Sequence, residues 1–296
     1  MRALKSIGAF VLFIVATEFL HGVLQYLIVK AHLWTPKPGF NAPDFIVSDG
    51  LGIVAATVIA WIFAMVEKRR VTDYGIPPRR TAVPHVVEGF VWGTVIPVLA
   101  AVIVIALGGG TYHGFALHGD VLLRTAALWL FTMFVLGFYE EWAFRGYALN
   151  GLARGIGFWP AAIVNAVGFG ALHYFGKPME NAADFVGVSI ITLFMCMTIW
   201  RTGALWFAIG FHAAFDYFAL IVLGAANTAN MGKPLDDHLL DIRYTGAEWL
   251  TGGVRGLEAS VPMIVIVLVA IGLYLLRTRK RDNALSLRER VPRSGG

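Results

Sequence analysis

Three short polar clusters interrupt an otherwise apolar chain of 296 residues. The first is Tyr139-Glu140-Glu141-Trp142-Ala143-Phe144-Arg145, the second Phe169-Gly170-Ala171-Leu172-His173, and the third His212-Ala213-Ala214-Phe215-Asp216. One carboxylate and two imidazoles held together can activate water. A glutamate takes the proton of the attacking water, while the imidazoles hold that water, bind a metal or stabilise the oxyanion of a tetrahedral intermediate. Two histidines and a carboxylate also supply the ligands of a catalytic zinc site that keeps one position open for water. On this count Glu140, His173 and His212 are candidate ligands of a divalent metal such as zinc. Either route leads to hydrolysis of a peptide bond. The soluble zinc signature, two histidines flanking a glutamate on one helix, is absent from the sequence.

Spacing divides the labour within the clusters. Glu141 and Arg145 are four apart, so on a helix they can pair and partly neutralise each other. Glu140 points about 100° away and is left free. His212 and Asp216, also four apart, share a helix face. At about 1.5 Å per residue, Glu140 lies roughly 15 Å in from the helix end near Asn150, His173 roughly 20 Å in from Pro160 and His212 roughly 14 Å in from Gly203. The three therefore reach similar depth on three separate helices.

Those helices must lie in lipid. A hydrophobic fraction of 57%, only 15% charged residues and a mean hydropathy of +0.68 lie outside what a soluble domain tolerates. Apolar stretches near the 17 to 25 residues needed to cross a bilayer run approximately Ile7 to Val29, Phe45 to Val66, Val86 to Leu107, Val121 to Asn150, Phe158 to Phe175, Phe185 to Trp200, Ala204 to Leu223 and Val261 to Leu276. The expected fold is thus an all-α, polytopic transmembrane bundle of about eight spans. Most of the 24 basic residues fall on one side, at Arg2 and Lys5, from Lys68 to Arg80, at Arg154 and Arg201, and after Arg277. The positive-inside rule then makes both termini cytoplasmic, in the plasma (inner) membrane. Positive charge here reports topology, and no nucleic acid partner is implied. We expect a single transmembrane domain over residues 1–281, with the polar core at about 121–223, and a disordered cytoplasmic tail over 282–296.

The remaining features read as structure. Glu18 and His21, three apart on one face of the first span, could handle substrate or protons, but a structural polar contact is the expected reading. Asp49 and Glu88 lie near span ends and are expected to be solvated. Cys196 is a buried small hydrophobe that forms no disulfide within the chain. Trp34, Trp159, Trp200 and Trp206 sit at expected interfaces, and Tyr139, Trp142, Phe144 and Phe169 are expected to pack. The long connection from Gly224 to Ser260 is rich in charge and can cap the bundle. The sequence has no internal repeat of the kind that marks inverted-repeat transporters.

Glu-Glu-x-x-x-Arg at Glu140, Glu141 and Arg145, Phe-x-x-x-His at Phe169 and His173, and His-x-x-x-Asn/Asp at His212 and Asp216 resemble the three motifs of the CPBP intramembrane proteases, which include the CAAX prenyl endopeptidases and the Abi bacteriocin-immunity proteins. Each motif alone is weak, but their order and placement on three spans are specific. The resemblance implies an intramembrane endopeptidase in which Glu140 is the base, His173 its partner on the water or metal, and His212 with Asp216 oxyanion stabilisers or further ligands. Glu141, Arg145 and Phe169 would support them. Where the family often has Asn, this chain has Asp216, which donates to an oxyanion only when protonated; it can otherwise orient His212 or ligate a metal. Expected partners are a hydrophobic or lipidated peptide or protein substrate and membrane lipid. The alternatives are a catalytically silent scaffold or immunity protein of the same fold, against which all the motif residues are present, and a proton-coupled transporter.

Overall fold

The computed structural model describes residues 2–278; the tail expected to be disordered, and the basic residues beyond Thr278, lie outside the described residues. Helices dominate the described residues: α1 (Arg2–Lys30), α2 (Ala42–Glu67), α3 (Ala82–Ala106), α4 (Gly119–Glu140), the shorter α5 (Ala148–Ile156), α6 (Phe158–Gly176), α7 (Ala182–Thr202), and α8 (Trp206–Asp216). A one-turn α9 (Glu248–Thr251) and α10 (Val261–Thr278) follow. Every expected span falls in a helix, and six helical stretches reach the length and hydropathy of a membrane crossing. The chain is a helical, multi-pass integral membrane protein.

The two expected spans outside that set are α6 and the segment Trp206–Val222, which is apolar but short. Both carry site residues. Every residue from Phe207 to Phe215 is buried, so α8 is wrapped by protein and has no lipid face that would demand full membrane length. Its tightest neighbour is α3. A Cβ at Gly89 or Gly93 would overlap the backbone carbonyls of Phe207 and Phe211, and one at Gly210 would overlap the carbonyl of Val86. In a membrane, where apolar burial does not drive helix association, such small-residue contacts let backbones approach closely.

Local signals explain where helices start and stop. The Asn181 side chain accepts from Ala183 N, and the Asp184 carboxylate accepts from Asn181 N, to form a capping box at the start of α7. Gly203 ends α7 with φ at 67°, a left-handed conformation that costs glycine little, and this makes the short turn into α8.

The structure departs from the expected continuous fourth span. After Glu140 the chain runs as a π-helical segment from Glu141 to Tyr147, with Gly146 at φ −71°, ψ −110° breaking the helical run before α5. A second π-helical segment, Tyr217–Val222, follows Asp216. The wider turns follow Glu140 and Asp216, and π-bulges recur at functional sites. Freed carbonyls find side-chain donors: Asn150 Nδ2 donates to Gly146 O at 2.9 Å and Asn165 Nδ2 to Phe144 O at 2.6 Å.

Two strands, β1 (Gly110–Phe115) and β2 (Leu240–Tyr244), pair antiparallel with Gly110 opposite Tyr244. This small sheet ties the connection from Gly224 to Ser260 to the end of α3. Its β1 strand follows a glycine run that reads as a turn, and pairing between segments so far apart in sequence leaves no local signal.

Two expected solvated acids are corrected. Asp49 is 6% exposed, because two turns into α2 it faces the protein rather than water. Glu88 is half-buried and pairs with Arg277 at 3.0 Å, as α10 packs beside α3. Glu18 and His21 do make a structural contact: Tyr139 Oη donates to Glu18 Oε1 at 3.0 Å and lies 3.1 Å from His21 Nδ1, while His21 Nε2 is 2.9 Å from Ser48 O. Cys196 is a free, buried thiol.

Candidate active site

A cavity of about 390 Å³ opens between α4, α6, α7, α8 and the connection from Gly224 to Ser260. Glu140, Phe169, His173, His212 and Asp216 all line it. The helices that carry them are far apart in sequence, yet they bring the three clusters to one wall, as the depth argument requires.

Behind that wall lies a dry support. Glu141 and Arg145 are both fully buried and form an ion pair through Glu141 Oε1 and Arg145 Nη1. Arg145 Nη2 donates to Thr192 Oγ1 of α7 at 3.0 Å, and the guanidinium lies 4.5 Å from the centre of the Phe169 ring. Charge at membrane depth is costly unless paired and hydrogen-bonded; here a hydroxyl and an aromatic face support the pair, while Glu141 Oε2 and Arg145 Nε have no hydrogen-bond partner among the described residues. Glu141 Oε1 also faces His212 Nδ1 at 2.8 Å. One buried carboxylate thereby fixes both the arginine and the imidazole orientation.

The other ring nitrogen of His212 points into the cavity. Its Nε2 stands 3.4 Å from Glu140 Oε2 and 3.4 Å from Asp216 Oδ2. His212 therefore meets a carboxylate at each nitrogen, an arrangement in which the ring is placed to donate. His173 takes the opposite pose. Its Nδ1 donates to Phe169 O at 3.1 Å, which leaves Nε2 as the acceptor nitrogen. No hydrogen bond or ion pair joins His173 to Glu140 among the described residues, and both line the cavity.

Among the described residues no three His, Cys, Asp or Glu side chains are placed to share one ion.

Several cavity residues lie outside the three motifs. Thr192 closes the arginine network from α7. Lys177 and Glu180, just beyond α6, and Thr228, Arg255 and Glu258 from the long connection form the outer wall. Arg255 pairs with Asp184 at 3.5 Å and with Glu248 at 3.2 Å. Burial pushes Glu180 above the usual carboxylate range, and burial with the nearby Asp216 carboxylate pushes Glu258 up to about 7. The charge-rich connection does therefore cap the bundle. Thr228 and Glu258 reach this wall only through the tertiary fold.

Residues 122–218 match the family model described as type II CAAX prenyl endopeptidase Rce1-like. The matched stretch opens in α4, closes just past Asp216 and contains all three motifs, in agreement with the resemblance to the CPBP proteases. No curated protein matches the chain.

Proposed function

We propose, from the membrane endopeptidase family that residues 122–218 match, that this protein hydrolyses a peptide bond near the membrane surface with a water molecule activated by Glu140 and His173. The observation that carries this reading is the pairing of an under-coordinated carboxylate, Glu140, with a donor imidazole, His212 Nε2 at 3.4 Å, on the wall of one cavity that His173 also reaches.

The steps follow from the hydrogen-bonding roles. Water sits between Glu140 and the acceptor nitrogen of His173. Glu140 takes a proton as the water oxygen attacks the carbonyl carbon. The carbonyl oxygen becomes an oxyanion, and the N–H at His212 Nε2 is placed to stabilise it. Glu140 then returns its proton to the amine as the C–N bond breaks, so the carboxylate is regenerated. Asp216, 3.4 Å from His212 Nε2, orients the imidazole and balances its charge; this position supports the orienting role over that of a direct oxyanion donor. Glu141, with Arg145 and Thr192, holds the imidazole from the other side. The apolar walls from Phe40, Phe45, Leu136 and Phe169 suit a hydrophobic or lipidated peptide, and their exclusion of water strengthens each electrostatic contact.

Cleavage of a lipidated peptide by purified protein in liposomes tests the reading. Activity should vanish in both Glu140→Ala and His173→Ala, with folding retained. Turnover that survives both substitutions overturns it.

A further inference from the structure

The cavity holds more carboxylate than its cations neutralise. Glu140, Glu180, Asp184, Asp216 and Glu258 line it, against Lys177 and Arg255. Arg255 is committed to Asp184 and Glu248. His212 stands between Glu140 and Asp216. The outer wall therefore has Glu180 and Glu258 facing a single lysine.

Glu180 is the decisive residue. Its side chain is 6% exposed, yet it lines the cavity. Oε1 is held, since it accepts from Thr228 Oγ1 at 3.2 Å and lies 3.9 Å from Lys177 Nζ. Oε2 is buried and has no hydrogen-bond partner among the described residues. A buried carboxylate oxygen without a partner is expensive, and on a cavity wall such a group is placed to receive a donor from a ligand. Glu258 also has no hydrogen bond or ion pair among the described residues, and burial, with the nearby Asp216 and Glu180 carboxylates, pushes it up to about 7.

We propose that Glu180 and Glu258 form a subsite for a cationic group of the substrate, a lysine or arginine side chain or a free amine, on the outer side of the bond to be cut. The inference rests on the peptidase reading of the cavity and adds a charge preference to it. A peptide cation suits the site better than a metal ion. No three ligating side chains there are placed to share one ion among the described residues, and the Lys177 ammonium beside Glu180 repels a compact dication. An amine or guanidinium on a flexible stem can instead donate to Oε2 while its methylenes lie along the apolar wall.

The test uses binding, so that it does not depend on turnover. The full chain carrying His173→Ala, which keeps every carboxylate, is placed in lipid nanodiscs. It is titrated with N-palmitoylated dodecapeptides that carry one Lys, or one Gln, at successive positions. At one or two neighbouring positions the Lys peptide should bind about tenfold more tightly than its Gln twin, a typical gain for one charge-assisted contact. Glu180→Gln and Glu258→Gln, each added to that chain, should separately reduce the preference to less than about threefold while binding of the Gln peptides holds. Glu180→Lys should invert it towards Glu peptides. Equal binding of Lys and Gln peptides at all positions overturns the subsite, as does a Lys preference untouched by both Gln variants. Wild-type protein that prefers Lys but cleaves nothing would retain the subsite and sink the hydrolytic reading; cleavage without preference would do the reverse.

Discussion

Glu67 and Glu140 are both glutamates of apolar helices, and the structure treats them in opposite ways. Glu67 accepts from Arg154 at 2.6 and 2.7 Å, from Tyr147 at 2.8 Å and from Tyr74 at 2.9 Å, with Arg69 at 3.9 Å. Glu140 has one ion-pair contact, His212 Nε2 at 3.4 Å, and opens onto a cavity. Fully partnered polar groups rigidify a fold, whereas a poorly partnered one at membrane depth is costly to keep. The first glutamate joins α2 to α5 and the turn at Tyr74. The second, in the proposed reaction, keeps its lone pairs for the attacking water. On the proposed reading, the number of partners separates structural carboxylates from chemical ones better than burial does, since the Glu67 and Glu140 side chains are 23% and 21% exposed.

The comparison predicts that loss of function and loss of stability will separate. Glu140→Gln should lower turnover by about 10²- to 10⁴-fold, the usual contribution of a general base, with unfolding in mixed micelles unchanged. A matching loss of stability would place Glu140 with the structural group. Arg145→Ala should do the opposite. It strands the buried Glu141 carboxylate and leaves Thr192 without its donor, so unfolding should cost about 3–5 kcal/mol less. Chemical denaturation of the two variants side by side checks both.

Much of the site was legible in the sequence because its geometry is local. The i,i+4 pairs Glu141–Arg145 and His212–Asp216 follow from helical period alone, and composition fixed the membrane setting. Depth counting brought three clusters to one level. What was not legible depends on contacts between distant segments. Asp49 read as solvated because distance from a helix end says nothing about which face is buried. The π-helical turns after Glu140 and Asp216 have no composition signature. The small sheet, and the arrival of Thr228, Arg255 and Glu258 over the cavity, follow from how the long connection folds back. The donor pose of His212 needed the positions of Glu141 and Glu140 together.

The structural member of the pair comes next in size. Glu67→Gln removes the charge that Arg154 meets and weakens two tyrosine bonds. Because Glu67 and Arg154 are about a fifth exposed, solvent offsets part of the loss, and about 1–2 kcal/mol is expected. Turnover per folded molecule should stay within about twofold, a change too small to implicate catalysis. A large kinetic defect with normal stability would dissolve the contrast with Glu140.

A smaller effect should come from Glu258, where the question is whether an outer-wall carboxylate behaves like Glu67 or like Glu140. Its ordinary value is 4.5 and its folded value about 7, so folding favours the protonated acid. Below pH 4.5 both states carry the proton and folding pays no penalty. Between about pH 4.5 and 7 the unfolded chain loses its proton first, so stability falls as pH rises. One such group contributes a slope of at most about 1.4 kcal/mol per pH unit, and less as Lys177 and water screen it. Glu258→Gln should flatten that part of the stability profile and raise stability near pH 7, as removal of an unpaired charge requires. If the variant instead loses stability at pH 7, Glu258 is a partnered structural carboxylate like Glu67, and the distinction between a saturated framework and an unsaturated cavity ends at the cavity's inner wall.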